Sequence, residues 1–107
     1  MKMIFAAAAV AAFFSTPALA NDAIPLKLKD HKFTPAEIHV KANMPLVIAM
    51  TNEDTTVEEF DSTSLKVEKI VAGNTTGNVR IRPLAPGRYP FMGEFHSATA
   101  QGVVIAE

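Results

Sequence analysis

A chain of 107 residues carrying ten Lys and Arg against eleven Asp and Glu, a formal charge of −1, has room for one domain and lacks the basic balance of a nucleic-acid binder. It contains no cysteine, which excludes disulfides, thiol catalysis and thiolate metal ligation together. A domain of this size buries about 60 to 65% of its unfolded surface, so stability has to come from one well-filled apolar core.

The chain opens Met1-Lys2, runs apolar from Ile4 to Phe14 and reaches Ala18-Leu19-Ala20 before turning polar at Asn21-Asp22. That is the layout of a secretory signal with an A-x-A cleavage site. Residues 1–20 are therefore read as a signal peptide and residues 21–107 as the mature domain. The apolar stretch is shorter than the ~20 residues that a membrane span requires. The expectation is an exported protein of the periplasm, not embedded in a membrane.

Ile24, Leu26 and Leu28 alternate with Pro25, Lys27 and Lys29, the period of a half-buried strand. Asp30-His31-Lys32 reads as a turn with His31 solvated, although its loop position leaves room for a second metal contact. Phe33-Thr34-Pro35 reads as a corner, because Pro35 cannot donate to a ladder. Alternation resumes at Ile38 and Val40, which puts His39 on the outward face. Leu46-Val47-Ile48-Ala49-Met50 is a continuous apolar run of the kind expected of a strand covered on both faces.

Asn52-Glu53-Asp54 ends that run in a turn. The stretch Thr55 to Ser62 reads as a strand, with Glu58, Glu59 and Asp61 crowded around Phe60. Three acids so close repel one another and sit poorly on a buried face. Either the strand is an exposed edge, or some of the carboxylates face a cation. Glu59 points away from Glu58 on a regular strand and is better suited to a separate surface site.

Leu65 to Val71 follows, then a turn at Ala72-Gly73-Asn74. Val79 and Ile81 alternate with Arg80 and Arg82, which read as a solvated strand face. Pro86-Gly87 turns the chain into the strand Arg88 to Met92, and Gly102 to Ala106 is the last strand. Seven or eight short strands separated by turn signals predict an all-β, two-sheet antiparallel Greek-key sandwich.

The densest group of metal donors is Met92-Gly93-Glu94-Phe95-His96, with a thioether, a carboxylate and an imidazole within five residues. Strand alternation puts Met92 and Glu94 on the same side, and a bulge at Gly93 could re-aim either one. Met92 as core filler, Glu94 as a loop charge and His96 as a loop histidine is the plain alternative to a site.

The chain resembles the cupredoxins along essentially its whole mature length. The resemblance is carried by Phe33-Thr34-Pro35-Ala36-Glu37-Ile38-His39-Val40, by Pro45-Leu46-Val47-Ile48 with Asn52, and by Pro86-Gly87-Arg88-Tyr89. It implies a ligand loop after the Arg88 to Met92 strand. By that resemblance Glu58 stands where copper-binding members have their first histidine, and Gly93 where they have the cysteine. His96 matches the second histidine, and Gln101 the axial methionine. The implied cofactor is a copper or iron ion in a site with no thiolate-type blue copper centre.

A carboxylate at Glu58 shifts preference toward harder or higher-valent ions, while Met92 is a soft donor suited to Cu(I). Carboxylate ligation also favours Fe(III) over Fe(II), because the more highly charged ion gains more from each anionic ligand. Glu58-Glu59-Phe60-Asp61-Ser62, Leu65-Lys66-Val67-Glu68-Lys69 and Phe91 to His96 resemble a narrower group. This is the cupredoxin component of bacterial periplasmic ferrous-iron uptake systems of the FtrABCD type, similar also to the cupredoxin domain of some EfeO iron-uptake proteins. The resemblance adds Glu68 to the candidate ligands Glu58, Met92, Glu94, His96 and Gln101. It implies a ferroxidase-like role in Fe(II) uptake beside a periplasmic iron-binding protein and an inner-membrane iron permease. The alternative is a non-catalytic copper or iron carrier that delivers its ion to a partner or permease.

Overall fold

The computed structural model describes residues 22–107, and the signal-peptide reading of residues 1–20 lies outside them. Nine strands follow in chain order: β1 Ile24–Lys29, β2 Lys32–Thr34, β3 Glu37–Val40, β4 Leu46–Asn52, β5 Glu58–Ser62, β6 Val67–Val71, β7 Thr75–Ile81, β8 Gly87–Gly93 and β9 Gln101–Ala106. A single 3-10 turn, Glu94–His96, separates β8 from β9. The strands form a four-stranded sheet in the order β2-β1-β4-β7 and a five-stranded sheet in the order β3-β9-β8-β5-β6.

The two-sheet all-β sandwich is the architecture expected from the alternation. It has nine strands instead of seven or eight, because the first alternating region is divided by the Asp30-His31 turn and the Pro35 corner into β1, β2 and β3. Two pairings also depart from a purely antiparallel arrangement, since β1 pairs with β4 and β3 with β9 in parallel. Chain crossing between the sheets brings these strands together, which a local alternation pattern does not encode.

Inward residues of one sheet, Leu26, Leu28, Ile48, Met50, Val79 and Ile81, face Ile38, Val40, Phe60, Phe91 and Val104 of the other, all buried. Phe60 and Phe91 stack with ring centroids 4.8 Å apart, and Phe33 meets them edge-on at 6.3 and 5.2 Å. Each such aromatic side chain removes ~150–250 Å² from water, so this trio anchors the middle of the sandwich. β4 is covered on one face only: Ile48 and Met50 are buried while Val47 and Ala49 remain half-exposed. His39 faces outward as the alternation predicts, between Glu37 at 2.9 Å and Glu107 at 2.8 Å.

The β4–β5 connection explains where the acidic strand begins. Asn52 is fully buried; its Nδ2 donates to the carbonyls of Thr56 and Val71, and its Oδ1 accepts from Asp54 N. Those bonds hold residues 53–57 as a loop, so β5 starts at Glu58 rather than at Thr55. β5 lies between β8 and β6, so it is not the exposed edge that its three acids suggested.

Candidate metal centre

β5 alternates from its first residue, with Glu58, Phe60 and Ser62 inward and Glu59 and Asp61 outward. The Glu58 side chain is 0% exposed. An unpartnered carboxylate in such a place would be strongly disfavoured, and this one is fully engaged. Its Oε1 accepts from Phe95 N at 2.8 Å and Glu59 N at 3.0 Å. Its Oε2 lies 2.6 Å from His96 Nδ1, the imidazole N–H donating to the carboxylate. A separation this short is that of a charge-assisted hydrogen bond.

The 3-10 turn brings those donors into place. β8 ends at Gly93, and Glu94–His96 coils back over the start of β5. The loop is closed by Gly93 N donating to Ala100 O at 2.8 Å and Ala100 N to His96 O at 2.9 Å. Gly93 is needed for space: a Cβ there would lie 2.6 Å from Glu58 Cδ, 2.7 Å from Oε2 and 2.8 Å from the Ala100 Cβ. Glu58 therefore fills the volume that a side chain at position 93 would use.

The third side of the centre comes from the other sheet. The His31 imidazole stacks on that of His96, with centroids 3.6 Å apart and planes 11° from parallel. The β1–β2 turn that carries His31 is tied to Asp54, which accepts from Asp30 N at 2.7 Å and His31 N at 2.9 Å. Burial opposes ionisation of Asp54, but the hydrogen bonds from His31 and Asp30 outweigh it and hold the carboxyl below the usual range. Sequence reasoning placed His31 in a solvated turn with room for a second metal contact, and placed Asp54 only in the turn that ends the apolar run. The available signal was the two-residue Asp30-His31 turn between alternating strands, with Asn52 and Asp54 two residues apart at the end of β4.

The remaining candidates lie elsewhere. Inward packing of Phe91 puts Met92 on the outer face of the sheet, paired across β5 with Asp61 and across β9 with Gln101. Glu68 pairs with Asp61 from β6, so Glu68, Asp61, Met92 and Gln101 form one outward row. Glu94 also points outward, and no bulge at Gly93 re-aims it or Met92. Its pKa is raised chiefly by the hydrogen bond to Asp61 and that residue's charge, then by burial and by Glu59 and Glu68. Burial first, then the charges of Glu68, Asp61 and Glu58, raise Glu59 likewise. Of the six candidate ligands the structure brings together Glu58 and His96, while Met92, Glu94, Glu68 and Gln101 sit across the sheet from them.

Two kinds of ion can be tested against this centre. A thiolate-bound copper does not fit, since the chain has no cysteine and the Glu58 carboxylate occupies the space at position 93. A thiolate-free ion fits the donor chemistry, a carboxylate and an imidazole, on one condition: Glu58 Oε2 and His96 Nδ1, 2.6 Å apart, share a proton as they stand, and an ion bound by both has to displace it. Among the described residues no group of three or more His, Cys, Asp or Glu converges on one point. The centre as it stands offers one carboxylate and one imidazole, with a second imidazole stacked beside them.

Comparison with known proteins agrees with this architecture. A protein of Rickettsia prowazekii (strain Madrid E), described as uncharacterized, is 40% identical over 82 residues, or 77% of this chain and 66% of the relative. This chain thus spans just under two thirds of that relative's length. Amicyanin from Paracoccus versutus superposes with a TM-score of 0.62 at 17% identity, covering 86% of this chain and 85% of amicyanin. Auracyanin A, the "blue" copper protein from Chloroflexus aurantiacus, gives a TM-score of 0.68 at 15% identity over 81% of this chain and 99% of its own. The metal-binding domain of the Streptococcus pneumoniae D39 Cu(I)-exporting P-type ATPase CopA gives 0.70 at 14% identity over 86% and 91%. These likenesses establish the fold. The sequence itself matches the cupredoxin-like domain family over residues 2–106, and with that match across nearly its whole length the chain belongs to the cupredoxin-like domain family.

Proposed function

We propose that the protein is an exported metal-binding cupredoxin that assists ferrous-iron uptake, holding a copper or iron ion at Glu58 and His96 and promoting oxidation of Fe(II). One observation carries the reading: a fully buried carboxylate, Glu58, is held against the His96 imidazole at 2.6 Å where the 3-10 turn after β8 meets the start of β5. A carboxylate and an imidazole are both common protein ligands of transition-metal ions. An anionic oxygen favours Fe(III) over Fe(II), the direction that makes iron at such a site easier to oxidise. Fe(II) is here the substrate, and a Cu(II) ion held by Glu58 and His96 would supply the oxidant, taking one electron from each iron. The iron-uptake role, with a periplasmic iron-binding protein and an inner-membrane permease as partners, rests on the sequence resemblance of the acidic and donor segments.

A second reading, a carrier that hands its ion to a partner, is favoured by the two-donor centre. An ion held by two protein atoms keeps exchangeable positions open to a recipient. Mixing Fe(II) with the Cu(II)-loaded protein in the absence of dioxygen separates the two. Formation of one Fe(III) per Cu(II) reduced supports the redox role, and binding without electron transfer supports the carrier. In either case His96→Ala is expected to lose Cu(II) binding while keeping the fold. Unchanged Cu(II) affinity by calorimetry in that variant would remove Glu58 and His96 as the metal centre.

A further inference from the structure

The β1–β2 turn is built in a way that its strands do not require. Lys29 pairs with Lys32, leaving a two-residue connection in which Asp30 has φ 52° and His31 φ 59°. Both residues are in the left-handed region, which Asn-Gly or Asp-Gly adopts most readily in such hairpins. Non-glycine residues are uncommon there, although Asp and His enter the region more readily than most, and backbone conformations of this kind persist where surrounding structure fixes them. Here the surrounding structure is explicit. Asp54 takes both turn N–H groups, and Asp54 N is itself bonded to the fully buried Asn52.

What this chain of bonds places is the His31 ring, flat on His96 at 3.6 Å. The ring does not fill the core, because its side chain is 42% exposed. A carboxylate attends it as well: Asp54 Oδ2 lies 4.0 Å from His31 Nε2. That is beyond hydrogen-bond distance, so the carboxylate is a nearby charge and does not hold the ring's N–H. We propose that His31 is the third protein donor of the centre, completing with Glu58 and His96 a two-histidine, one-carboxylate set for a divalent first-row cation such as Cu(II) or Fe(II). This rests on the metal-binding reading above and adds a ligand to it.

In the stack the in-plane lone pairs of the two rings run side by side and do not converge. His31 therefore has to rotate about its side-chain torsions to ligate. Its backbone is held by Asp54 while its side chain is exposed, so that rotation displaces no core residue.

The test uses the mature protein and Cu(II) as probe, with His31→Asn as variant because Asn tolerates left-handed φ. Pulsed EPR counts coupled imidazoles and calorimetry reads affinity, with thermal unfolding confirming that the variant folds. Wild type is expected to show two coupled imidazoles. His31→Asn is expected to show one, with affinity lower by roughly 10- to 100-fold. An unchanged imidazole count and affinity in His31→Asn, beside lost binding in His96→Ala, overturns the role of His31 and leaves Glu58 and His96 standing. Absence of Cu(II) binding in the wild type overturns both.

Discussion

Glu58 and Gly93 are complementary in shape: the carboxylate of the first fills the space that any side chain on the second would need, with a Cβ at position 93 only 2.7 Å from Oε2. By the sequence resemblance, position 93 is where copper-binding cupredoxins carry their cysteine, and here the Glu58 side chain fills that space.

Gly93→Ala is expected to destabilise the fold by about 1–3 kcal/mol through overpacking. The loss should shrink in a Glu58→Ala background, where the carboxylate is gone, but not vanish, since the Ala100 Cβ is 2.8 Å away. Urea unfolding of the two single variants and the double variant checks this. Equal penalties for Gly93→Ala in both backgrounds would contradict the packing relation.

Glu58→Gln keeps one acceptor for Phe95 N and Glu59 N but presents an amide where His96 Nδ1 now donates. Losing a hydrogen bond to a charged buried group costs about 1.5–3 kcal/mol. The variant should unfold at lower denaturant and lose Cu(II) binding along with it. Retained affinity with reduced stability would mean that Glu58 serves packing alone.

The outer face of the same sheet should respond to pH in a definite direction. Glu94 has its pKa raised in the folded state, first by its hydrogen bond to Asp61 and then by that residue's charge. A carboxyl raised on folding lowers stability where it is ionised in both states, and the stability returns as pH falls through its folded value. Glu94→Gln is therefore expected to raise the neutral-pH melting temperature and to flatten the rise in stability that Glu94 contributes on acidification. A lower melting temperature in that variant would refute the account.

Asp54 behaves oppositely. Against the effect of burial, the amides of His31 and Asp30 hold its folded pKa below the ordinary range. Its contribution is present above the unfolded carboxylate pKa and is lost as pH falls through the lower folded value. Asp54→Asn should reduce stability at neutral pH and flatten the acid limb of the curve below about pH 4. Hydrogen exchange should accelerate at the amides of Asp30 and His31, and unchanged exchange there would show that Asp54 does not hold the turn.

Much of the sandwich is written in period two. Leu26, Leu28, Ile38 and Val40 alternate inward as expected, and Glu59 points away from Glu58. Spacing also put Met92 and Glu94 on one side. It did not say which side, because that depends on Phe91 stacking with Phe60, a residue from another strand. The resemblance aligned Gln101 with an axial ligand, whereas its neighbour Ala100 is the buried residue near Glu58. The burial of Glu58 was legible only as a conflict among three acids on one strand. Its resolution lies in two backbone amides and a histidine, and the Phe95 amide and His96 arrive from more than thirty residues further along the chain. His31 was the least visible, since its importance comes from contact between sheets rather than from any spacing.

The paired rings of His31 and His96 also have a mechanical meaning. One is anchored to the four-stranded sheet through the β1–β2 turn and the other to the five-stranded sheet through the end of β8. An ion gripping both would act as a rivet between the two halves of the sandwich. Such a ligand binds the folded chain and not the unfolded one, so its affinity adds directly to the resistance of the fold to heat and denaturant.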